Sequence, residues 1–271
     1  MILVSPSALA ACAGVLTVLD ISPLLSARPS SPSRFESAHF DFECGTLAGW
    51  STIGLPGPHA AVVQSEVARV GTRSCRFELR PGDYVSQGHR AELRDPFNAI
   101  LEEPVWYGFS TRLAADFPTA DGVPCVLAQW HDQAVKGDPS GKPPIALRYR
   151  DGTLRVTGAH APYATPEPET RYELARVTNF PRGVWHDFVF RVFWSRFGQS
   201  EVQAWLDGEE FIDWRGPLGY RNQAVGPYFK LGVYCSGPIE QPHVAYHDNY
   251  SRGHSYAEVD PAVLHRRSAA G

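Results

Sequence analysis

Three short segments of this sequence concentrate side chains that can hold an anion and move a proton. The first is His89-Arg90-Ala91-Glu92-Leu93-Arg94, the second ends in Gln129-Trp130-His131, and the third runs from Tyr228 to Tyr234 as YFKLGVY. Side chains alternate between the two faces of a strand. Arg90, Glu92 and Arg94 therefore share one face, and Ala91 and Leu93 the other. Gln129 and His131 share a face opposite Ala128 and Trp130. Tyr228, Lys230, Gly232 and Tyr234 share a face, backed by the apolar Phe229, Leu231 and Val233. A solvated sheet face is the common cause of such alternation, but it would favour Thr, Ser, Lys and Glu. The set here is Arg, Gln, His, Lys and Tyr. A guanidinium and an amide can neutralise a carboxylate, and an imidazole and a phenol can carry a proton.

Groups on three separate segments act together only if strands hold them side by side. Strand signals dominate from Phe40 onward. Short alternating runs recur at Ser74 to Leu79, Phe188 to Trp194, Glu201 to Leu206 and His243 to Tyr250, and Asp151-Gly152 and Asp207-Gly208 mark hairpin turns. No segment keeps a 3.6-residue apolar period for three turns. The pattern predicts an all-β chain, a two-sheet antiparallel β-jelly roll with a concave groove. Residues 37–257 form its one domain. The segments 80–88, 133–142 and 160–170 read as loops, and residues 258–271 as a frayed tail.

Residues 1–36 differ in kind. The first 25 carry no Lys or Arg and a single acid, Asp20. They read as a signal-like leader followed by a linker, without a basic n-region, and place the protein outside the cytoplasm, secreted or periplasmic. Asp20 argues against a membrane span. Of the five cysteines, Cys12 lies in the leader; Cys44, Cys75, Cys125 and Cys235 leave one or two disulfides open, with the pairing undetermined. A net charge of −4 argues against a nucleic-acid partner. An anionic ligand would have to find its positive charge gathered in one groove.

HRAEL, QWH and YFKLGVY, in this order, resemble the signatures of jelly-roll polysaccharide lyases. The alginate lyases of this fold carry Arg-x-Glu-Leu, Gln-x-His and Tyr-Phe-Lys-x-Gly-x-Tyr strands. The Trp inside QWH, and Trp185-His186-Asp187-Phe188 followed by VQAWLDGEEF, are more similar to the heparin lyase I and glucuronan lyase relatives. The resemblance spans about residues 40–249. It implies β-elimination on an anionic, uronic-acid-containing polysaccharide by a monomeric enzyme that needs no cofactor for its chemistry. Removing the proton at C5 of a uronate leaves an enolate-like dianion, so the carboxylate charge must be met. The resemblance assigns that task to Arg90 and Gln129. It makes His131 the base or a carboxylate neutraliser, and Tyr234 the acid to the departing O4 and, in some geometries, also the base. A phenol ionises only near pH 10, so a cation such as Lys230 or Arg90 would assist it. Where H5 and O4 lie on the same side of the sugar, Tyr234 alone can make both transfers. Where they lie on opposite sides, His131 would take the proton.

Further residues are expected around this set. His89 reaches the groove if a bulge turns it, although alternation places it on the other face. Glu92 is expected to partner Arg90 or Arg94, and Tyr228 to touch substrate. Arg148 and Arg150 either hold flanking uronates or are plain exposed strand arginines. Trp205 either stacks on a sugar or caps the convex face. Glu43 and Asp248, near the two chain ends, offer hard oxygens for a structural Ca²⁺. His243 and His247 are expected to be structural, because their spacing on a strand does not build a zinc site. Two rival functions remain: a non-catalytic carbohydrate-binding jelly roll, and a glycoside hydrolase, which would need a carboxylate pair.

Overall fold

The computed structural model describes residues 35–137, 141–162, 169–221, 223 and 225–269. The leader, with Cys12, and the linker up to Arg34 lie outside them. Strands are numbered in chain order. One sheet runs β13 (Glu209–Gly216), β12 (Ser200–Leu206), β11 (His186–Phe193), β6 (Pro104–Leu113), β16 (His243–Gly253), β4 (Ser74–Leu79) and β3 (Ala61–Gln64), with β1 (Ala38–Phe40) also on β16. The second runs β10 (Thr170–Val177), β9 (Thr153–Ala161), β8 (Ile145–Arg150), β7 (Cys125–His131), β15 (Tyr228–Cys235), β5 (His89–Asn98) and β2 (Ser51–Gly54), with β14 (Gly219–Tyr220) on β9. The pairings are antiparallel except β14 with β9. This is the expected two-sheet jelly roll. No described helix is long and apolar enough to cross a membrane.

Alternation explains how the sheets meet. The apolar side of each site segment faces inward, and its aromatics form the centre of the core. Trp130 is fully buried, its ring 4.9 Å from Phe190, 5.1 Å from Phe229 and 5.3 Å from Tyr107. Phe229 stacks in turn on Tyr250 of β16. The core therefore fixes which way β7 and β15 face, since a one-residue slip would turn Gln129 and Lys230 into the apolar core and these rings onto the groove side. Both Asp-Gly turns form as predicted, with Asp151, Gly152, Asp207 and Gly208 all at positive φ.

One expectation fails at the C-terminus. The chain does not fray after Val259: it forms α1 (Tyr256–Val259) and α2 (Pro261–Ala269). Val259 is fully buried, and a side chain at Gly108 would collide with its carbonyl. Trp205 is held by the same docking. It stacks on Trp106 at 5.6 Å and meets the Tyr256 ring edge-on at 5.1 Å, on the sheet opposite the site segments. It caps that outer face and is not a sugar platform.

Cys125 and Cys235 form a disulfide between neighbouring strands β7 and β15, while Cys44 and Cys75 are free. The bond closes a loop with a sequence separation of 110. Cys125→Ala with Cys235→Ala is expected to lower the unfolding free energy by about 3–5 kcal/mol, measured by denaturant titration. An unchanged midpoint would show that strand packing alone sets this stability.

Candidate active site

The outer face of the second sheet is hollowed into a groove of about 940 Å³. Arg90, Gln129, His131, Lys230 and Tyr234 all line it. Tyr228, Arg148 and Arg150 line it as well.

Glu92 lies beneath the groove at 3% exposure and is the anion around which the cations gather. Its Oε1 accepts a hydrogen bond from the Gln129 amide. Its Oε2 lies 3.5 Å from Arg90 Nη1 and 3.5 Å from Lys230 Nζ. Three strands, β5, β7 and β15, thus converge on one carboxylate. Burial lowers the Lys230 ammonium from its ordinary range, against the pull of Glu92. Gln129 is buried at 1% exposure, and its Oε1 has no hydrogen-bond partner among the described residues. With one amide N–H given to Glu92, the second remains for a ligand. The expected Glu92–Arg90 partnership is present. Arg94 instead stacks on Tyr228, its guanidinium carbon 3.9 Å from the ring centre.

Tyr234 stands opposite Arg90 in register, with the Arg90 guanidinium 4.5 Å above its ring centre. Two glycines permit this. A side chain at Gly232 would run into the Ala91 carbonyl, and its φ of 145° suits glycine alone. A β-carbon at Gly88 would lie 2.7 Å from Arg90 Nη2 and 2.8 Å from Tyr234 Cε2. Gly88 closes a tight turn whose central residues, Ser86 and Gln87, both take positive φ without being glycine and both line the groove. Strain of that kind clusters at functional sites.

His131 stands on the other side of the Lys230–Gln129 pair. It is opposite Tyr228 in register and stacks on that ring at 5.5 Å, whereas Tyr234 is opposite Val126. Five residues of β7 separate the two positions, about 17 Å of strand. His131 Nδ1 is 3.0 Å from the Asp132 carbonyl and 3.1 Å from its carboxylate. Both are acceptors, so a neutral ring donates from Nδ1 and keeps its lone pair on Nε2.

His89 does not join the site. Its Nδ1 bonds the Asp83 carbonyl at 3.0 Å and its ring meets Tyr84, on the face alternation assigns it. Arg148 does join: its Nε donates to Thr157 at 2.9 Å, and burial lowers its guanidinium. Arg150 lines the rim, with Nε 3.1 Å from Asp151. The sequence reading missed Asp132, Thr157, Arg155 and Arg171. Asp132 was legible as the acid directly after QWH. Arg155 and Thr157 were legible as the polar alternation after the Asp151-Gly152 turn.

Far from the groove, Glu43 and Asp248 anchor one loop, residues 69–73. Glu43 accepts the N–H groups of Thr72 and Arg73, and Asp248 Oδ2 those of Arg69 and Val70. Asp248 is fully buried, its Oδ1 has no hydrogen-bond partner among the described residues, and burial pushes its carboxyl up to about 7, with Glu43 adding to the rise. An orphaned buried oxygen beside a second acid fits a hard cation. His243 bonds Asp121, and the buried His247 lies between Thr111 and the Gly232 carbonyl.

The two antiparallel sheets form a jelly roll with a cationic, phenol-bearing groove across one of them. A polysaccharide lyase family model matches residues 42–251, and the chain belongs to that family. No curated protein matches it in sequence. Among solved structures it is similar to an endo-β-1,4-glucuronan lyase from the fungus Trichoderma reesei. The identity is 19%, over 83% of this chain and 98% of that one, with a TM-score of 0.69. An alginate lyase from Pseudomonas aeruginosa is 21% identical over 78% and 100% of the two chains, with a TM-score of 0.53. A cellulose-induced protein is 14% identical over 80% and 97%, with a TM-score of 0.54. At these identities the likeness is one of fold.

Removing the central charge tests the cluster. Glu92→Gln leaves the buried Lys230 and the half-buried Arg90 without their counter-ion and is expected to cost about 3–5 kcal/mol of stability, read by denaturant titration. A loss below about 1 kcal/mol would mean that Glu92 does not hold the cations in place.

Proposed function

We propose that this polysaccharide lyase cleaves an anionic, uronic-acid-containing polysaccharide of the glucuronan, alginate or heparin type by β-elimination, leaving a 4,5-unsaturated uronide. One observation carries the reading: a phenol, Tyr234, lies under the Arg90 guanidinium, beside an amide and an ammonium already ordered by Glu92. Arg90 and the free N–H of Gln129 meet the substrate carboxylate and stabilise the charge that grows on it as H5 leaves. Acting in its ionised form, Tyr234 takes the C5 proton as the C4–O4 bond breaks; the electron pair of the C5–H bond becomes the C4–C5 double bond, the pair of the C4–O4 bond leaves with O4, and the phenol so formed gives its proton to O4. The distance along β7 between His131 and the Tyr234 position favours this single-phenol route, which requires H5 and O4 on one side of the ring. On linkages with the two on opposite sides, His131 Nε2 removes the proton and Tyr234 serves O4.

The hydrolase rival is disfavoured because Glu92, the carboxylate at the groove, is sunk beneath it and bound by cations rather than set across a cleavage point from a second acid. The Cys125–Cys235 disulfide supports export to an oxidising compartment. Glu43 and Asp248 would hold a structural Ca²⁺ that ties the chain's first strands to β16.

Tyr234→Phe keeps the ring under Arg90 and removes only the oxygen. Turnover on uronans is expected to fall by about 10²-fold or more, with uronide binding retained. Unsaturated-product absorbance reads the first and calorimetry the second. Near-normal turnover on every cleaved substrate would refute the role of the phenol. Saturating Ca²⁺ is expected to raise the melting temperature over chelator-treated protein by about 5 °C, and Glu43→Gln to remove that rise. An equal response in both proteins would place any Ca²⁺ elsewhere.

A further inference from the structure

The registers across the second sheet align one row of residues perpendicular to the strands. Arg90 of β5 is opposite Tyr234 of β15, Tyr234 opposite Val126 of β7, Val126 opposite Arg148 of β8, and Arg148 opposite Arg155 of β9. Directly opposed residues share a face, and Arg90, Tyr234, Arg148 and Arg155 all line the groove.

The Arg148–Arg155 pair is anomalous as sheet structure, since like charges directly opposite one another destabilise a sheet. Acids do little to relieve it. Among the described residues no carboxylate pairs with Arg148, whose Nε donates to Thr157 Oγ1. Arg155 Nε is 3.7 Å from Glu173 and has no hydrogen-bond partner among the described residues. Arg90 and Lys230, by contrast, share Glu92. Two opposed guanidinium groups that line one groove, one of them with an unsatisfied buried Nε–H, are an arrangement that an external anion completes.

Spacing says which anion. Adjacent strands lie about 4.8 Å apart, close to the advance of one sugar in a 1,4-linked chain. A chain laid along the row places one sugar per strand. Arg148 is two strands from Tyr234 and Arg155 three.

We infer that Arg148 and Arg155 form a distal subsite that binds the anionic groups of two successive sugars, the second and third from the one at Tyr234, so that the groove selects chains charged on every sugar over chains charged on alternate ones. The inference rests on the lyase reading for the position of the cleaved bond, but the anion site itself does not.

Homouronan oligosaccharides of increasing length test it. With the wild type, kcat/KM is expected to climb as the chain grows long enough to reach β8 and then β9. Arg155→Ala, a partly exposed position, should lose about tenfold on the long oligosaccharides and nothing on the shortest cleaved one; Arg155→Lys should recover part of the loss. An alternating uronate–hexosamine chain without sulfate should be little affected by Arg155→Ala. A loss equal at every length, or none at any length, would overturn the subsite. Calorimetric binding of the same oligosaccharides separates the two readings. If the wild type makes no unsaturated product yet binds long uronans about tenfold more tightly than Arg155→Ala, the lyase reading fails and the subsite stands. Equal binding by both proteins removes the subsite whatever the chemistry.

Discussion

Arg90, Gln129 and Lys230 come from three strands, and two of them are cations that would repel one another in a buried setting. What lets them stand together is the Glu92 carboxylate, with a contact to each. Removing a carboxylate from water is costly, and mutual attraction offsets the cost only when every partner is in place. The constraint therefore acts in both directions. Glu92 needs the three groups, and they are oriented by it before any ligand arrives. One buried negative charge against two positive ones leaves a net positive charge at the groove floor, which the substrate carboxylate can use without displacing the internal pair. Groups ordered in advance do not have to reorganise as charge develops, which is where such sites gain most of their effect.

The rest of the fold serves to hold that cluster at a solvent-facing surface. The rings of Trp130 and Phe229, packed against Tyr107 and Phe190, fix the facing of β7 and β15 from behind. Gly232 lets β15 approach β5 closely enough to put Tyr234 opposite Arg90, and the buried His247 reaches its carbonyl from the opposite sheet. The disulfide joins β7 to β15 at the residue after Tyr234. Each device acts near the phenol, the group whose position matters most to a proton transfer.

Much of this was legible in the sequence, because it depends on period-two alternation. Gln129 and His131 had to face away from Trp130, and Lys230 and Tyr234 away from Phe229, once those segments were strands. The Asp-Gly turns fixed two hairpins for the same local reason. Long-range consequences were not legible. Alternation alone says nothing of which strands are neighbours, so the opposition of Arg148 to Arg155 required the register. The ring contact that covers Trp205 depended on a short C-terminal helix, α1, whose four residues carry no periodic signal of their own. The disulfide pairing depended on β7 lying beside β15. His131 is the instructive case: its facing was correct, but its separation from Tyr234 along the strand depends on a register shift that no local pattern encodes.

The central claim is that the bond to O4 breaks by elimination and not by water. Digesting a uronan in heavy-oxygen water and weighing the products tests it most directly. The account predicts new non-reducing ends lighter by one water than a hydrolytic product, carrying a double bond and no heavy oxygen at the cleaved linkage. Products that are saturated and carry one heavy oxygen for each bond broken would contradict it.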